Sequence, residues 1–236
     1  MTPQLRTARL TGGGAAIMDI RAGRGRWWHL NGTAAHLWHQ LAAGTPLDEA
    51  VDEFANHFAA QGADRDIVRA DLTALARQLS GTGLLTARAA PAPDLTVTQT
   101  RIALPTNTPL SAADRVAGLL GMTAALVLLR CAPIRTGIAV AHALAHIPRR
   151  PATARQADAL LLAVRRAGRA WPGRVACREE SLGCHFAAVL RGRRVAWVIG
   201  ARTAPAAAHA WNEADGVVIG QDAGDRVWPY APALRI

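Results

Sequence analysis

The sequence predicts an α+β protein in two parts, and three observations lead to this prediction. Short alternating segments near the N-terminus, typical of strands, precede three segments with the apolar spacing of helices. A proline-rich stretch then leads into a long region rich in alanine, leucine and arginine, which indicates further helices. Alternating segments around an Asp-Gly pair follow, so the second part should pack helices on an antiparallel sheet.

Composition narrows the class of protein. The 236-residue chain has a net charge of +10 and contains no lysine, so all 27 basic residues are arginine. These arginines are spread among apolar residues, so we do not expect a nucleic-acid partner. The absence of lysine excludes both a phosphate-binding P-loop and a Schiff-base enzyme.

Cysteine usage and the N-terminus predict a cytoplasmic protein. The three cysteines, Cys131, Cys177 and Cys184, are odd in number and lack the spacing of zinc ligands, and the first residues lack the apolar core of a signal peptide. The apolar run at residues 116–129 is shorter than the roughly 20 residues that span a bilayer. We therefore expect a buried helix there and no membrane span.

Residues 1–88 are predicted to form the first domain. Residues 15–21 and 26–30 alternate and are separated by glycines, which is typical of a hairpin. Helices should begin after Asn31, at Pro46 and near Asp66. The apolar positions of the third helix are Ile67, Leu72, Leu75 and Leu79.

Residues 89–109, with four prolines, are predicted to link this domain to a second one, residues 110–236. The second domain should begin with helices that break at Pro133 and around residues 148–151. His142 and His146 stand one turn apart, but no third ligand is near in sequence, so we expect packed or surface histidines, no metal and no cofactor.

Cys177 is the candidate nucleophile. It lies at the predicted start of a helix that runs to about residue 191, where free amides and the helix dipole favour a thiolate. Arg174 and Arg178 should add to this effect, and the two glutamates that follow should oppose it. Cys184 lies two turns further into the helix, where we expect it to be buried.

His209 is the candidate base. If Asp215-Gly216 is a two-residue hairpin turn, Ala214 faces Val217, and His209 then falls opposite Asp222 on the same face. A carboxylate in that position would orient the imidazole, and an oriented imidazole can take the proton of a cysteine nucleophile. The alternative is a histidine with a structural role only.

Three segments of the first domain, "IMDIRAG", "RWWHLN" and "GTGLL", occur in an order that resembles the PqqD-like peptide-recognition domain. The resemblance implies a winged-helix-like fold, with a small three-stranded sheet and three helices. It also implies that the leader of a ribosomally made peptide adds to the sheet as a strand and packs against the third helix. The leader-binding residues would be Arg26, Trp27, Trp28, His29, Leu30, Val68, Leu72 and Leu75.

The alternative for Trp27, Trp28 and Trp38 is a place in the core. Because strand side chains alternate, the adjacent pair Trp27 and Trp28 must point to opposite faces in either case.

Segments of the second domain, "CREESLG", "LRGRRVAWVIGA" and "HAWNEADG", resemble the transglutaminase-like, papain-like cysteine protease domain of lasso peptide maturation. This resemblance implies a triad of Cys177, His209 and Asp222. The sequence departs from the family pattern at Arg178, at Asn212 and at Gln221, where leucine, valine and an acid are usual. The last departure leaves Asp225 as an alternative acid if the hairpin contains a bulge.

Together the two resemblances imply a lasso peptide B protein, which binds and removes the leader of a precursor for a separate ATP-dependent macrolactam cyclase. Two alternatives remain at this stage, an inactive leader-binding carrier and a transglutaminase that transfers the acyl group to an amine. The apolar run at residues 116–129 could contact the cyclase, although internal packing is favoured.

Overall fold

The computed structural model describes residues 3–93, 101–102, 109–220 and 230–236, with backbone only at 101–102. In the N-terminal part the strands are β1 (Leu5–Arg9), β2 (Ala15–Asp19) and β3 (Arg26–Leu30), with a short 3-10 turn at Thr11–Gly13. The helices that follow are α1 (Gly32–Ala43), α2 (Leu47–Ala59) and α3 (Arg65–Thr82).

These first elements confirm the predicted hairpin and three helices. Within the described residues the strands form an antiparallel sheet in the order β1-β2-β3, with Ala15 paired to Leu30. Asn31 caps α1 by accepting a 2.9 Å hydrogen bond from the amide of Ala34, and Asp64 caps α3 in the same way. Gly83, with φ of 69°, ends α3 in the left-handed conformation.

The C-terminal part contains helices and a second sheet. Its helices are α4 (Ala112–Cys131), α5 (Ile134–Ala145), α6 (Ala154–Arg169) and α7 (Cys177–Leu190). Its main strands are β7 (Ala196–Thr203), β8 (Ala206–Ala214), β9 (Val217–Ile219) and β10 (Ala231–Arg235). The short strands β4 (Arg101–Ile102), β5 (Arg150–Pro151) and β6 (Arg193–Arg194) complete the described elements.

The second sheet has the order β10-β7-β8-β9-β4 within the described part of the chain, and α7 packs on one face of it. The strands β10, β7, β8 and β9 are antiparallel, and β4 pairs in parallel with β9. The prediction of an α+β protein, with helices on an antiparallel sheet in the second part, is confirmed.

The hairpin of β8 and β9 has the register predicted from the Asp-Gly turn. Ala214 pairs with Val217, and Asn212 pairs with Ile219. Asp215 has φ of 53°, and Gly216 has φ of 72°, as a turn with two left-handed central residues requires. The predicted partner of His209, Asp222, lies outside the described residues.

Helix α4 is the core helix of the C-terminal part. It packs between α6 and α7, and glycines make this close approach possible, because a Cβ on Gly121 would lie 2.4 Å from the carbonyl oxygen of Gly183. Among the described helices, α4 is the one long and apolar enough to cross a membrane by length and composition. Its contacts with α6 and α7 bury one face, but the other face is exposed at Val116, Leu119, Leu120 and Val127, so the prediction of a buried helix holds for one face only.

Parts of the predicted linker are paired with the two sheets. Ala89 bridges to Leu5 of β1, and the amide of Ala90 donates a 2.9 Å hydrogen bond to the Leu5 carbonyl. Further along, Arg101–Ile102 forms β4. The described parts of this segment thus pair with strands of both sheets.

The first sheet is buried on both faces. Ile17 of β2 packs towards the N-terminal helices, whereas Met18 and Ile20 pack against Ile134 and Leu129 of the C-terminal part. Hydrogen bonds reinforce this contact, because the amide of Ile134 donates to the carbonyl of Gly23 at 2.9 Å. The hairpin that carries β3 is therefore fixed directly onto the helices of the second domain.

Candidate active site

Helix α7 begins at Cys177, and its start is fixed by hydrogen bonds on both sides. The carboxylate of Glu179 accepts a 3.2 Å hydrogen bond from the amide of Ala176. One turn later, the Ser181 hydroxyl accepts a 3.0 Å hydrogen bond from the Trp197 indole of β7. These bonds hold the first turn of α7 against the sheet, so the position of Cys177 is set by the core.

Asn212 strengthens the same junction. It is buried, and its Nδ2 donates to the carbonyl of Ser181 at 3.0 Å and to the carbonyl of Ala196 at 3.2 Å. The departure from valine noted in the sequence therefore gives α7 a polar connection to β7 and β8.

The Cys177 thiol is mainly shielded from water, and this burial raises its pKa above the ordinary value. Hydrogen bonding from the backbone of Ala210 and Arg178 lowers the pKa, while the negative charges of Glu179 and Glu180 raise it. The net direction is upward. The amide at the helix start lowers the pKa of Cys177, as predicted, but desolvation of the charged form outweighs this effect.

Cys184 is fully buried, as predicted, and burial raises its pKa to about 12. Cys131 is exposed. Of the three cysteines, Cys177 alone combines a helix start with a cavity that contains a histidine.

His209 lies on β8 directly before Ala210, the residue whose backbone bonds the Cys177 sulfur. Its half-buried ring stacks on Trp211 with centroids 6.1 Å apart and lies 5.4 Å from the ring of Tyr230. These aromatic neighbours orient the imidazole. Because strand side chains alternate, Ala210 faces α7, and His209 belongs to the adjoining aromatic cluster.

Cys177 and His209 line the same two cavities. One cavity, of about 460 Å³, is bounded by the N-terminal hairpin, the start of α7 and β8. The other, of about 310 Å³, lies beside the end of β9 and is lined by Ser181 and Asn212. Cys177 and His209 thus share the lining of two cavities, while the imidazole ring itself packs with Trp211 and Tyr230.

The candidate acids, Asp222 and the alternative Asp225, fall in residues 221–229, which lie outside the described part of the chain. The third member of the triad stays a prediction. It is supported by the hairpin register up to Ile219.

The first group of predicted leader-binding residues forms β3. Within the described residues β3 is an edge strand, paired to β2 on one side. Trp27 and Trp28 point to opposite faces, as alternation requires. Trp28 packs with Leu75 against the N-terminal core, and Arg26 stacks on its ring at 4.1 Å, whereas Trp27 lines the larger Cys177 cavity.

The other predicted leader-binding residues, on β3 and on α3, divide between the surface and the core. The ring of His29 stacks near Trp27, with centroids 6.4 Å apart, and Val68 and Leu75 of α3 are half-buried. Leu30 and Leu72 are only 8% and 4% exposed, so they pack in the core beneath the predicted groove. Trp38 is also a core residue, and its indole donates to the carbonyl of Leu84 at 3.3 Å.

The apolar spacing of α3 was misleading at one position. The spacing predicts that Ile67 belongs to the apolar face, but it is 62% exposed because it falls in the first turn, beyond the packed face of the helix.

No group of three potential metal ligands occurs among the residues that the structure describes. His142 of α5 and His146, the residue directly after α5, have ring nitrogens 3.1 Å apart.

Sequence reasoning did not find the residues that complete the larger cavity, because they come from distant parts of the chain. Met18 and Arg24 come from the N-terminal hairpin, Arg130 and Ile134 from the α4–α5 junction, and Ile199 from β7. Their convergence depends on how the domains pack, for which no local motif exists.

Comparison with known families finds a match in the N-terminal part of the chain and another in the C-terminal part. Residues 14–85 match the family described as coenzyme PQQ synthesis protein D (PqqD). Residues 119–235 match the family described as the transglutaminase-like superfamily. No curated protein and no solved structure matches the chain.

The chain is therefore a PqqD-like leader-binding domain fused to a transglutaminase-like domain, a fold that is associated with cysteine hydrolases. This fusion is the architecture of the lasso peptide B proteins. The PqqD-like domain implies that the chain binds the leader of a ribosomally made precursor peptide.

Proposed function

We propose that this protein binds the leader of a lasso peptide precursor and removes it by cysteine proteolysis in the cytoplasm. One observation carries the proposal: Trp27, on the predicted leader-binding strand β3, lines the same cavity as Cys177 and His209. A leader that adds to the edge of β3 would thus already lie beside the nucleophile. The tethered substrate would meet the thiol at a raised effective concentration.

In the proposed reaction, His209 takes the proton of the Cys177 thiol as the sulfur attacks the scissile carbonyl. Amides at the start of α7, including that of Cys177, stabilise the oxyanion. His209 then gives the proton to the leaving amine of the core peptide, and water hydrolyses the thioester to release the leader as a carboxylate. Asp222 orients the imidazole.

The raised pKa of Cys177 supports the need for a base. A buried thiol that keeps its proton at neutral pH is a poor nucleophile until a neighbouring group accepts that proton. The released core peptide, with a free amine, would be the substrate of a separate ATP-dependent macrolactam cyclase.

The test is incubation of the purified full chain with a leader–core precursor, followed by mass spectrometry. We expect one cut at the leader–core junction that is lost in Cys177→Ala and kept in Cys184→Ala. His209→Gln should slow the cut by roughly 10²- to 10⁴-fold, the usual contribution of general acid–base catalysis. His146→Gln, at the exposed residue directly after α5, is the matched histidine control.

Two other results would replace the proposal. Tight leader binding without any cut, also in the presence of the cyclase, would identify an inactive carrier. Loss of ammonia with formation of a crosslink would identify acyl transfer to an amine, as in a transglutaminase.

A further inference from the structure

The larger Cys177 cavity is lined by four arginines, Arg24, Arg130, Arg174 and Arg178. They come from three regions: the β2–β3 turn, the end of α4 and the segment that leads into α7. We call this space the arginine-lined cavity. One carboxylate, that of Glu179, lines the cavity together with them.

Among the described lining residues, the four arginines outnumber the single carboxylate of Glu179. Glu179 is 8% exposed, and its carboxylate already accepts the amide of Ala176. The ion pairs found among the described residues include none of the four arginines. Near the smaller cavity, by contrast, Arg165 pairs with Glu180 at 3.0 Å.

Two of the arginines are held in place by uncharged groups. Arg178 donates from Nη1 to the carbonyl of Arg24 at 2.9 Å, and its buried Nε has no hydrogen-bond partner. Arg130 donates to the carbonyl of Arg174 at 2.8 Å and lies over the ring of Trp171. These contacts position the guanidinium groups and leave donors available for an anion.

The walls of the cavity indicate where that anion would come from. Trp27 and Met18 of the N-terminal hairpin form one side, and Cys177 forms the other. If the leader adds to β3 as proposed, the peptide between β3 and the thiol crosses this space. The residues that cross it belong to the leader, just before the cut.

We propose that the arginine-lined cavity binds an acidic side chain of the leader close to the scissile bond, so that the protease selects precursors with aspartate or glutamate there. Guanidinium groups bind carboxylates in a fixed planar geometry, often through two parallel hydrogen bonds. This inference rests on the proposed proteolysis.

The experiment compares pairs of full-length precursors that carry aspartate or asparagine at each of the last four leader positions. The readout is kcat/KM for leader removal, followed by mass spectrometry. At one position the aspartate precursor should be cleaved about tenfold faster than its asparagine partner, the size expected for hydrogen bonds to a charged group. The preference should decrease at high salt, because the arginines are partly exposed.

Arg174→Gln and Arg24→Gln should each reduce this aspartate preference towards one. Arg155→Gln, an exposed arginine of α6 with the same change of charge, should leave it unchanged. The decisive quantity is the ratio of kcat/KM for the aspartate precursor to kcat/KM for its asparagine partner. A general loss of folding would lower both values equally and leave this ratio unchanged.

Equal cleavage of all aspartate and asparagine pairs would overturn the inference while leaving the protease intact. If instead inorganic phosphate protected Cys177 from alkylation and no aspartate preference existed, the arginines would serve a free anion. Absence of any cleavage with all precursors would be a failure of the proposed function itself.

Discussion

Cys177 shows how one residue can be found from sequence while its chemistry is not. Its place at the start of α7 follows from the tight turn before it and the apolar spacing after it. The direction of its pKa depends on how much of the thiol the N-terminal hairpin and β8 cover, and that coverage is a tertiary property. Burial raises the pKa, so the resting site holds a neutral thiol.

The raised pKa of the Cys177 thiol predicts how its alkylation depends on pH. A thiol with a raised pKa forms less thiolate at neutral pH, so its reaction with iodoacetamide should still be rising above about pH 8.5, the midpoint of an unperturbed cysteine. Peptide-resolved mass spectrometry of the native protein would measure all three cysteines in one sample. Exposed Cys131 serves as the accessible reference, and buried Cys184 should not react.

A rate for Cys177 that reaches its plateau below neutral pH would contradict this prediction. It would indicate a thiolate stabilised by a charged imidazole in the resting enzyme.

At the scale of elements, the β8–β9 hairpin was predictable in register because two residues define its turn. Asp215 and Gly216 adopt the left-handed conformations that such a turn demands, and the pairing of Ala214 with Val217 follows. The packing of α4 on α7 was not predictable in the same way. An apolar helix indicates burial but does not identify the neighbour, and the role of Gly121 emerges only when the carbonyl of Gly183 is placed against it.

Gly121→Ala should therefore destabilise the protein. The added Cβ would lie 2.4 Å from the Gly183 carbonyl oxygen and 2.9 Å from the amide nitrogen of Ala187, so α4 and α7 must separate. Overpacking of this kind usually costs about 1–3 kcal/mol in the free energy of unfolding. Denaturant titration followed by circular dichroism would measure the loss.

The matched control is Gly81→Ala near the end of α3, where an added Cβ meets no atom within 4 Å. Alanine favours helix over glycine by up to about 1 kcal/mol, so this variant should be neutral or more stable. Equal stability of the two variants would show that α4 and α7 can adjust without cost.

At the scale of the whole molecule, the organisation into two parts was predictable from the sequence, but the interface between them was not. The run of apolar residues at 15–18 was interpreted as one strand of a hairpin, although four consecutive buried positions indicate a strand covered on both faces. The second face belongs to Met18 and Ile20, which pack against the C-terminal helices. Because both faces are covered, we expect the two halves to unfold together.

Met18→Ala tests this coupling. Met18 is 3% exposed at the interface, and truncation of such a side chain costs about 2–5 kcal/mol. Hydrogen exchange should accelerate in α3 and α7 together. Leu47→Ala, at a position on α2 that is 39% exposed, is the control and should have little effect. Faster exchange in the N-terminal helices alone would show that the domains unfold independently.

The same interface separates two roles within β3, and the adjacent tryptophans provide the test. Trp28 faces the α3 side together with Leu75, so Trp28→Ala should weaken leader binding, by about tenfold or more for a buried aromatic anchor. Trp27 faces the Cys177 cavity, so Trp27→Ala should leave leader affinity nearly unchanged and slow the cleavage of the bound precursor.

Fluorescence anisotropy with a labelled leader measures the first quantity, and single-turnover cleavage at saturating protein measures the second. Each variant is the control for the other, since both remove an indole from the same strand. If both variants lost affinity equally and bound precursor were cleaved at the normal rate, Trp27 would belong to the leader-binding surface alone. The expected result is that Trp28→Ala loses leader binding and Trp27→Ala loses cleavage. It would show that one strand connects leader recognition to the thiol through its two faces.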